Sequence, residues 1–387
     1  MTTRITRRAG TARSGPIVRL MEGAPTAVGL DVAPAWLPGG HAQTIWSSLV
    51  ARRGSGLSPR WQRERWTTPD GDFIDVDWLH GPAEAACPTA DAGWSSVAAQ
   101  PDPDAAPARS ATPGVDAPQA GDGGVLLVLF HGLEGSSSSH YAQAFADQAR
   151  RLGWRFAVPH FRGCSGELNL APRAYHSGDY VEIGWMLSQL RQRHHGAIHV
   201  VGVSLGGNAL LRWAEEAGQS GRTLVDSVTA VCAPIDLTSS GHAIGQGLCR
   251  WIYTPMFLRS MKPKALAKLV QYPGLFDRER LLAAHNLYEF DDVFTAPLHG
   301  FAGTDDYWSR ASAAPALADI RLPTLVVNAA NDPFVPVDSL PPPGPVGDWV
   351  YLLRPASGGH VGFTAGGFPG HVTTLPRQVT RWMSQLA

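Results

Sequence analysis

The pattern of apolar and polar positions changes character along the chain. From Phe73 to Leu79 it alternates, with Ile74, Val76 and Trp78 on one face and Asp75 and Asp77 on the other. Trp61 to Thr67 precedes it across the turn-forming Pro69-Asp70-Gly71-Asp72, so the period of two predicts an antiparallel hairpin. From Val125 onward, short apolar runs alternate with stretches at helical spacing. That rhythm predicts a mostly parallel sheet with helices on both faces. Strands are expected at Val125 to Phe130, Trp154 to Pro159, Ile198 to Val203 and Leu224 to Cys232. Between them, Tyr141, Phe145, Ala149 and Leu152 form one helical stripe, closed by Gly153. Asp179 and Glu182 are spaced as a capping box ahead of the stripe Ile183, Met186, Leu187 and Leu190, and a further helix is expected from Gly207 to Ala217.

From about Ala233 to Arg321 the alternation stops and the chain turns helical and aromatic, which predicts an inserted cap. Strands resume at Thr324 to Ala329 and Asp348 to Leu353, followed by a terminal helix from Pro376 to Leu386. The expected organisation is a core of residues 31–82, 123–232 and 322–387, a helical cap at 233–321, an insertion at 83–122 and a basic tail at 1–30. The insertion holds 13 Ala and 6 Pro in 40 residues with no Leu, Ile, Met or Phe, too little apolar surface to offset the entropy of ordering it.

Composition narrows the classes. With 44% hydrophobic and 17% charged residues the chain is globular, and 32 basic against 33 acidic side chains give no general electrostatic reason to expect nucleic acid or an anionic membrane as partner. The longest apolar run, Val125 to Phe130, falls far short of the about 20 residues of a membrane-spanning helix. Five arginines within the first 19 residues are not followed by the apolar core of a secretory signal. Four scattered cysteines, Cys87, Cys164, Cys232 and Cys249, form no disulfide framework or C-x-x-C pair, and a cytoplasmic location is expected.

The chemistry starts at Gly202-Val203-Ser204-Leu205-Gly206, a G-x-S-x-G between an expected strand and helix. A serine hydroxyl is a poor nucleophile at neutral pH and needs a histidine base oriented by a carboxylate. Asp332 and His360 each follow an expected strand, giving the chain order Ser204, Asp332, His360 of an α/β-hydrolase. The backbone N–H groups of Leu205 and of Leu133, in the glycine-bracketed His131-Gly132-Leu133-Glu134-Gly135, are the expected oxyanion donors. His131 is read as structural, and Arg162-Gly163-Cys164-Ser165-Gly166 as a turn between sheet and helix. Met256, Phe257 and Leu258 are candidates to line an acyl pocket under the cap. No spacing of His, Asp or Glu suggests a metal, and no cofactor motif is present.

Several of these segments carry a family resemblance. Leu129-Phe130-His131-Gly132-Leu133-Glu134-Gly135-Ser136-Ser137, Phe161 to Glu167, Tyr175 to Asp179, the serine turn, Tyr253 to Leu258 and Asn331 to Phe334 resemble the bacterial YheT-like esterases. That group is a branch of the α/β-hydrolase superfamily which also contains eukaryotic ABHD-type lipases. Pro34 to Thr44 is similar to the family's N-terminal stretch, and the resemblance runs to the C-terminus apart from the insertion. It implies a cofactor-independent serine hydrolase of small-molecule carboxylic esters with short- to medium-chain acyl groups. Ser204 would be the nucleophile, His360 the base and Asp332 its orienter. Transfer to an alcohol, or cleavage of a thioester, would use the same residues, and a non-catalytic ligand-binding protein could keep the fold. Acyl length, alcohol half and oligomeric state are not encoded legibly.

Overall fold

Strands that carry no polar position on either side must be covered on both, and that requirement organises the molecule. The computed structural model describes residues 30, 33–54, 56, 58–80 and 124–386; the expected insertion and nearly all of the basic tail lie outside them. After helix α1 (Gly40–Leu49) come strands β1 (Trp61–Thr67), β2 (Phe73–Leu79) and β3 (Leu126–Phe130), helix α2 (His140–Leu152), β4 (Arg155–Pro159), α3 (Tyr180–Arg193), β5 (Ile198–Val203), α4 (Leu205–Ala217) and β6 (Ser227–Val231). The helices α5 (Leu237–Ile244), α6 (Gly247–Gln271), α7 (Arg278–Ala283), α8 (Leu287–Val293), α9 (Thr295–Leu298) and α10 (Thr304–Ala311) then intervene. Strands β7 (Thr324–Val327), β8 (Gly344–Val346) and β9 (Val350–Leu353) and helix α11 (Thr374–Met383) complete the order.

The strands form one sheet in the order β1-β2-β4-β3-β5-β6-β7-β9-β8. Pairing is parallel from β4 to β9 and antiparallel at β1/β2, β2/β4 and β8/β9. Every residue of β3, β5 and β6 is buried, with separate apolar cores on the two faces. One core packs α3 and α4 through Ile183, Met186, Leu187 and Leu210; the other packs α2 and α11 through Phe145, Ala149, Val379 and Trp382. This is the mostly parallel sheet with helices on both faces expected from the rhythm of the sequence, and the α/β-hydrolase architecture expected from the chain order of Ser204, Asp332 and His360.

Three local features go beyond the sequence pattern. The acidic face of β2 does not meet water: Asp75 and Asp77 are buried opposite Arg65 and Arg63 of β1, each pair closing at 2.7 Å. Asp77 also accepts from Ser137 and lies 2.8 Å from His160, because the loops after β3 and β4 bring those side chains onto that face. At α3 only half of the capping box forms. The Asp179 carboxylate accepts from the Glu182 N–H, but Glu182 turns to Arg162 at 2.5 Å instead of closing back. Helix α1 and the edge strand β8 had no periodic signal at all.

The helices between β6 and β7 bury their own apolar cluster, including Leu258, Leu281, Phe290, Phe294 and Trp308. Among the described residues no helix is long and apolar enough to cross a membrane.

Candidate active site

Strand β5 ends directly in Ser204, whose φ of 53° and ψ of −121° place a non-glycine residue in the strained left-handed half of backbone space. The turn closes because Gly206 has no side chain: a Cβ there would sit 2.4 Å from the His131 carbonyl. The strain lifts Oγ clear of the sheet at the start of α4. His360, on the loop after β9, brings Nε2 to 2.9 Å from Ser204 Oγ. Its Nδ1 lies 2.9 Å and 3.2 Å from the two carboxylate oxygens of Asp332, on the loop after β7. A carboxylate can only accept, so Nδ1 carries the hydrogen and Nε2 is left to accept from the serine. The Asp332 carboxylate is fully buried and also accepts from the Phe334 N–H at 2.8 Å.

The loop bearing His360 is held by α1, on residues to which the sequence reading assigned no role. Thr44 Oγ1 accepts from the His360 N–H at 2.8 Å, and Gln43 Oε1 accepts from the Gly358 N–H at 2.9 Å and from Asn331 Nδ2 at 3.0 Å. Asn331 Oδ1 in turn accepts from the Gly359 N–H at 2.9 Å. One buried glutamine thus ties the Asp332 loop to the His360 loop. The only signal in the sequence was the family-like stretch Pro34 to Thr44.

The expected oxyanion residues also converge. Leu133, Ser204 and Leu205 line one cavity, and the loop after β3 passes so close that a Cβ on Gly132 would be 3.1 Å from Ser204 Cβ. The amides on either side of Leu133 are engaged, Gly132 N–H by Tyr141 Oη and Glu134 N–H by Tyr175 Oη, both at 2.9 Å. The Glu134 carboxylate meets Lys264 of α6 at 2.8 Å, linking this loop to the intervening helices. His131 is buried beneath it and accepts from the Phe161 N–H through Nε2, so its Nδ1–H donates to the Gly132 carbonyl. Burial pushes its imidazole down to about 3, leaving it neutral, as a structural role requires.

The cavity holds about 140 Å³ and is walled largely by apolar side chains from the loops at the strand ends and from α5, α6 and α8 to α10. Of the three consecutive candidates on α6, only Phe257 lines it. Met256 is 50% exposed on the outer side, and Leu258 is buried within the helices' own cluster. Successive helical residues point about 100° apart, so three in a row cannot share one wall. Arg162 reaches the cavity too, while its guanidinium is held by Asp72 at 2.7 Å, Asp70 at 2.8 Å and Glu182 at 2.5 Å.

Cys232, Asp332 and His360 bring possible metal-ligand atoms within 4.8 Å of one another. Burial and the nearby Asp332 push the Cys232 thiol well up, which keeps it protonated, and both imidazole nitrogens already face Asp332 and Ser204. The donor set suits a proton relay better than an ion.

Residues 125–363 match the family model described as alpha/beta hydrolase fold. A protein of Escherichia coli (strain K12) named "Putative esterase YheT" is 34% identical over 347 residues, 89% of this chain and 90% of that protein. The monoacylglycerol lipase of Saccharomyces cerevisiae is 26% identical over 62% of this chain and 54% of its own length. Among solved structures, the Pyrococcus furiosus esterase Pf2001 aligns with a TM-score of 0.44 at 13% identity, over 84% of this chain and 93% of that one.

Proposed function

Because the chain belongs to the α/β-hydrolase fold family, in its YheT-like branch, and is a carboxylic ester hydrolase, we propose that Ser204, His360 and Asp332 are its catalytic triad. The observation that carries this reading is the unbroken run of contacts, 2.9 Å from Oγ to Nε2 and 2.9 Å from Nδ1 to a buried carboxylate. Ser204 Oγ attacks the ester carbonyl as its proton passes to His360 Nε2. Asp332 holds the tautomer and stabilises the imidazolium. Negative charge on the carbonyl oxygen meets the N–H groups of Leu133 and Leu205. His360 returns the proton to the departing alkoxide, and a water attacks the acyl-serine by the same relay to release the acid and regenerate the serine.

The segment 233–321 acts as the cap. Its inner wall, including Phe257, Phe290 and Phe294, offers the acyl chain apolar surface. The modest cavity fits short- to medium-chain acyl groups better than long ones.

Fluorophosphonate labelling followed by peptide mapping tests the assignment, together with turnover of p-nitrophenyl esters from acetate to octanoate. Labelling at Ser204, absent in Ser204→Ala, with turnover lowered by about 10⁶ is expected. A folded Ser204→Ala protein that is labelled and turns over as before would refute it.

A further inference from the structure

Most polar side chains in the cavity have partners within the protein. Glu134 pairs with Lys264, Arg162 with three carboxylates, and Lys268 donates to the Asn169 carbonyl and to Gln271 Oε1. Two groups stand apart. The Ser240 hydroxyl, on a residue only 2% exposed, has no hydrogen-bond partner. The Asp291 carboxylate accepts from Thr295 Oγ1 at 2.6 Å and from Trp308 Nε1 at 2.9 Å, and among the described residues no cation stands within ion-pair distance of it.

Both residues line the same cavity. Gly241, next to Ser240 on α5, packs so tightly on the Trp308 ring that a Cβ there would come within 2.3 Å, and the indole N–H of that ring runs on to Asp291. Phe290, Phe294 and Tyr307 line the same cavity. Burial pushes the Asp291 carboxyl up, and both of its hydrogen-bond partners are neutral donors. Holding Trp308 and Thr295 takes two acceptor sites, and a carboxyl group has lone pairs to spare. Those spare lone pairs and the unpaired hydroxyl are together matched to a ligand that donates hydrogen bonds.

We propose that Asp291, Thr295 and Ser240 form a polar subsite of this cavity that binds a hydroxyl or ammonium group carried by the substrate away from its ester. The inference rests on the reading of this cavity as the substrate pocket. It makes the substrate an amphiphilic ester, with an apolar chain and a hydrogen-bond-donating terminus. A hydroxyl would donate to Asp291 and accept from Ser240; an ammonium would donate to both and add charge attraction among aromatic faces.

Ethers that cannot be hydrolysed test this without relying on the triad. Binding of octyl propyl ether, 3-octyloxypropan-1-ol and 3-octyloxypropylamine to the full chain is measured by calorimetry at pH 7.5. The alcohol or the amine is expected to bind about tenfold tighter than the plain ether, and which one does so identifies the group. An amine preference should fall to within about threefold in Asp291→Asn, and an alcohol preference in Ser240→Ala. Should Asp291→Asn fail to fold, the double difference is read with Ser240→Ala and with Thr295→Val. Equal affinity for all three ligands, or a preference that survives the substitutions, overturns the subsite. An intact preference in a protein whose Ser204 resists fluorophosphonate would overturn the catalytic reading alone.

Discussion

At the scale of single residues, the catalytic geometry depends on side chains that do no chemistry. Thr44 Oγ1 receives the His360 amide and Gln43 Oε1 receives Gly358, so a helix some 300 residues upstream sets where the imidazole stands. In Thr44→Val the shape is kept and the acceptor lost, leaving a largely buried N–H unpaired at a cost of about 1–3 kcal/mol. We expect kcat/KM on p-nitrophenyl butyrate to fall by about 10- to 100-fold, since small displacements of a reacting group are costly. Thr44→Ser should restore most of it. Equal activity in the valine and serine variants would show that the contact does not position His360. Met256 gives the complementary lesson. Its identity suited an acyl pocket, but helical geometry turns it to solvent and gives the wall to Phe257.

At the scale of elements, the hairpin and α3 are joined by buried charge. Arg162 binds Asp70 and Asp72 of the hairpin turn and Glu182 of α3, with Asp72 further satisfied by Asn169 and by the amides of Phe73, Leu170 and Ala171. Removing one member of such a network leaves the others uncompensated. Arg162→Met is therefore expected to destabilise the fold by about 3–5 kcal/mol, read from the urea midpoint at constant m-value. A loss below about 1 kcal/mol would mean that the carboxylates find water or a new partner. The local spacing of Asp179 and Glu182 indicated a helix start correctly. It could not reveal that Glu182 would be drawn to Arg162, because that partner arrives from a different strand end.

At the scale of the whole molecule, burial of neutral imidazoles governs the acid response. Burial holds His131 and His299 down to about 3 and His140 to about 4, while an unfolded histidine titrates near 6.5. Between those values the unfolded chain binds more protons, so their contribution is complete above about pH 6.5 and is lost as the pH falls toward 4. Asp291, Glu182 and Glu215 act oppositely, since burial raises them to about 6, 7 and 8 and the folded state takes up their protons first. His176, His194, His199 and His371 are also lowered, so the histidines outnumber these acids. The melting temperature followed by circular dichroism is expected to drop as the pH goes from 6.5 to 4.5. A rise over that interval would contradict the burial of these rings. What the sequence by itself determined was whatever repeats within a few residues or follows in chain order. The strand and helix periods gave the sheet, and the placement of Ser204, Asp332 and His360, each after a strand and in that chain order, gave the candidate site. The tertiary structure alone decided which polar groups meet: Gln43 with Gly358, Arg162 with Glu182, Asp75 and Asp77 with Arg65 and Arg63 on a covered sheet face. Those partners lie far apart in the chain, and no local period records them, because a buried polar group is satisfied by whatever folding carries to it.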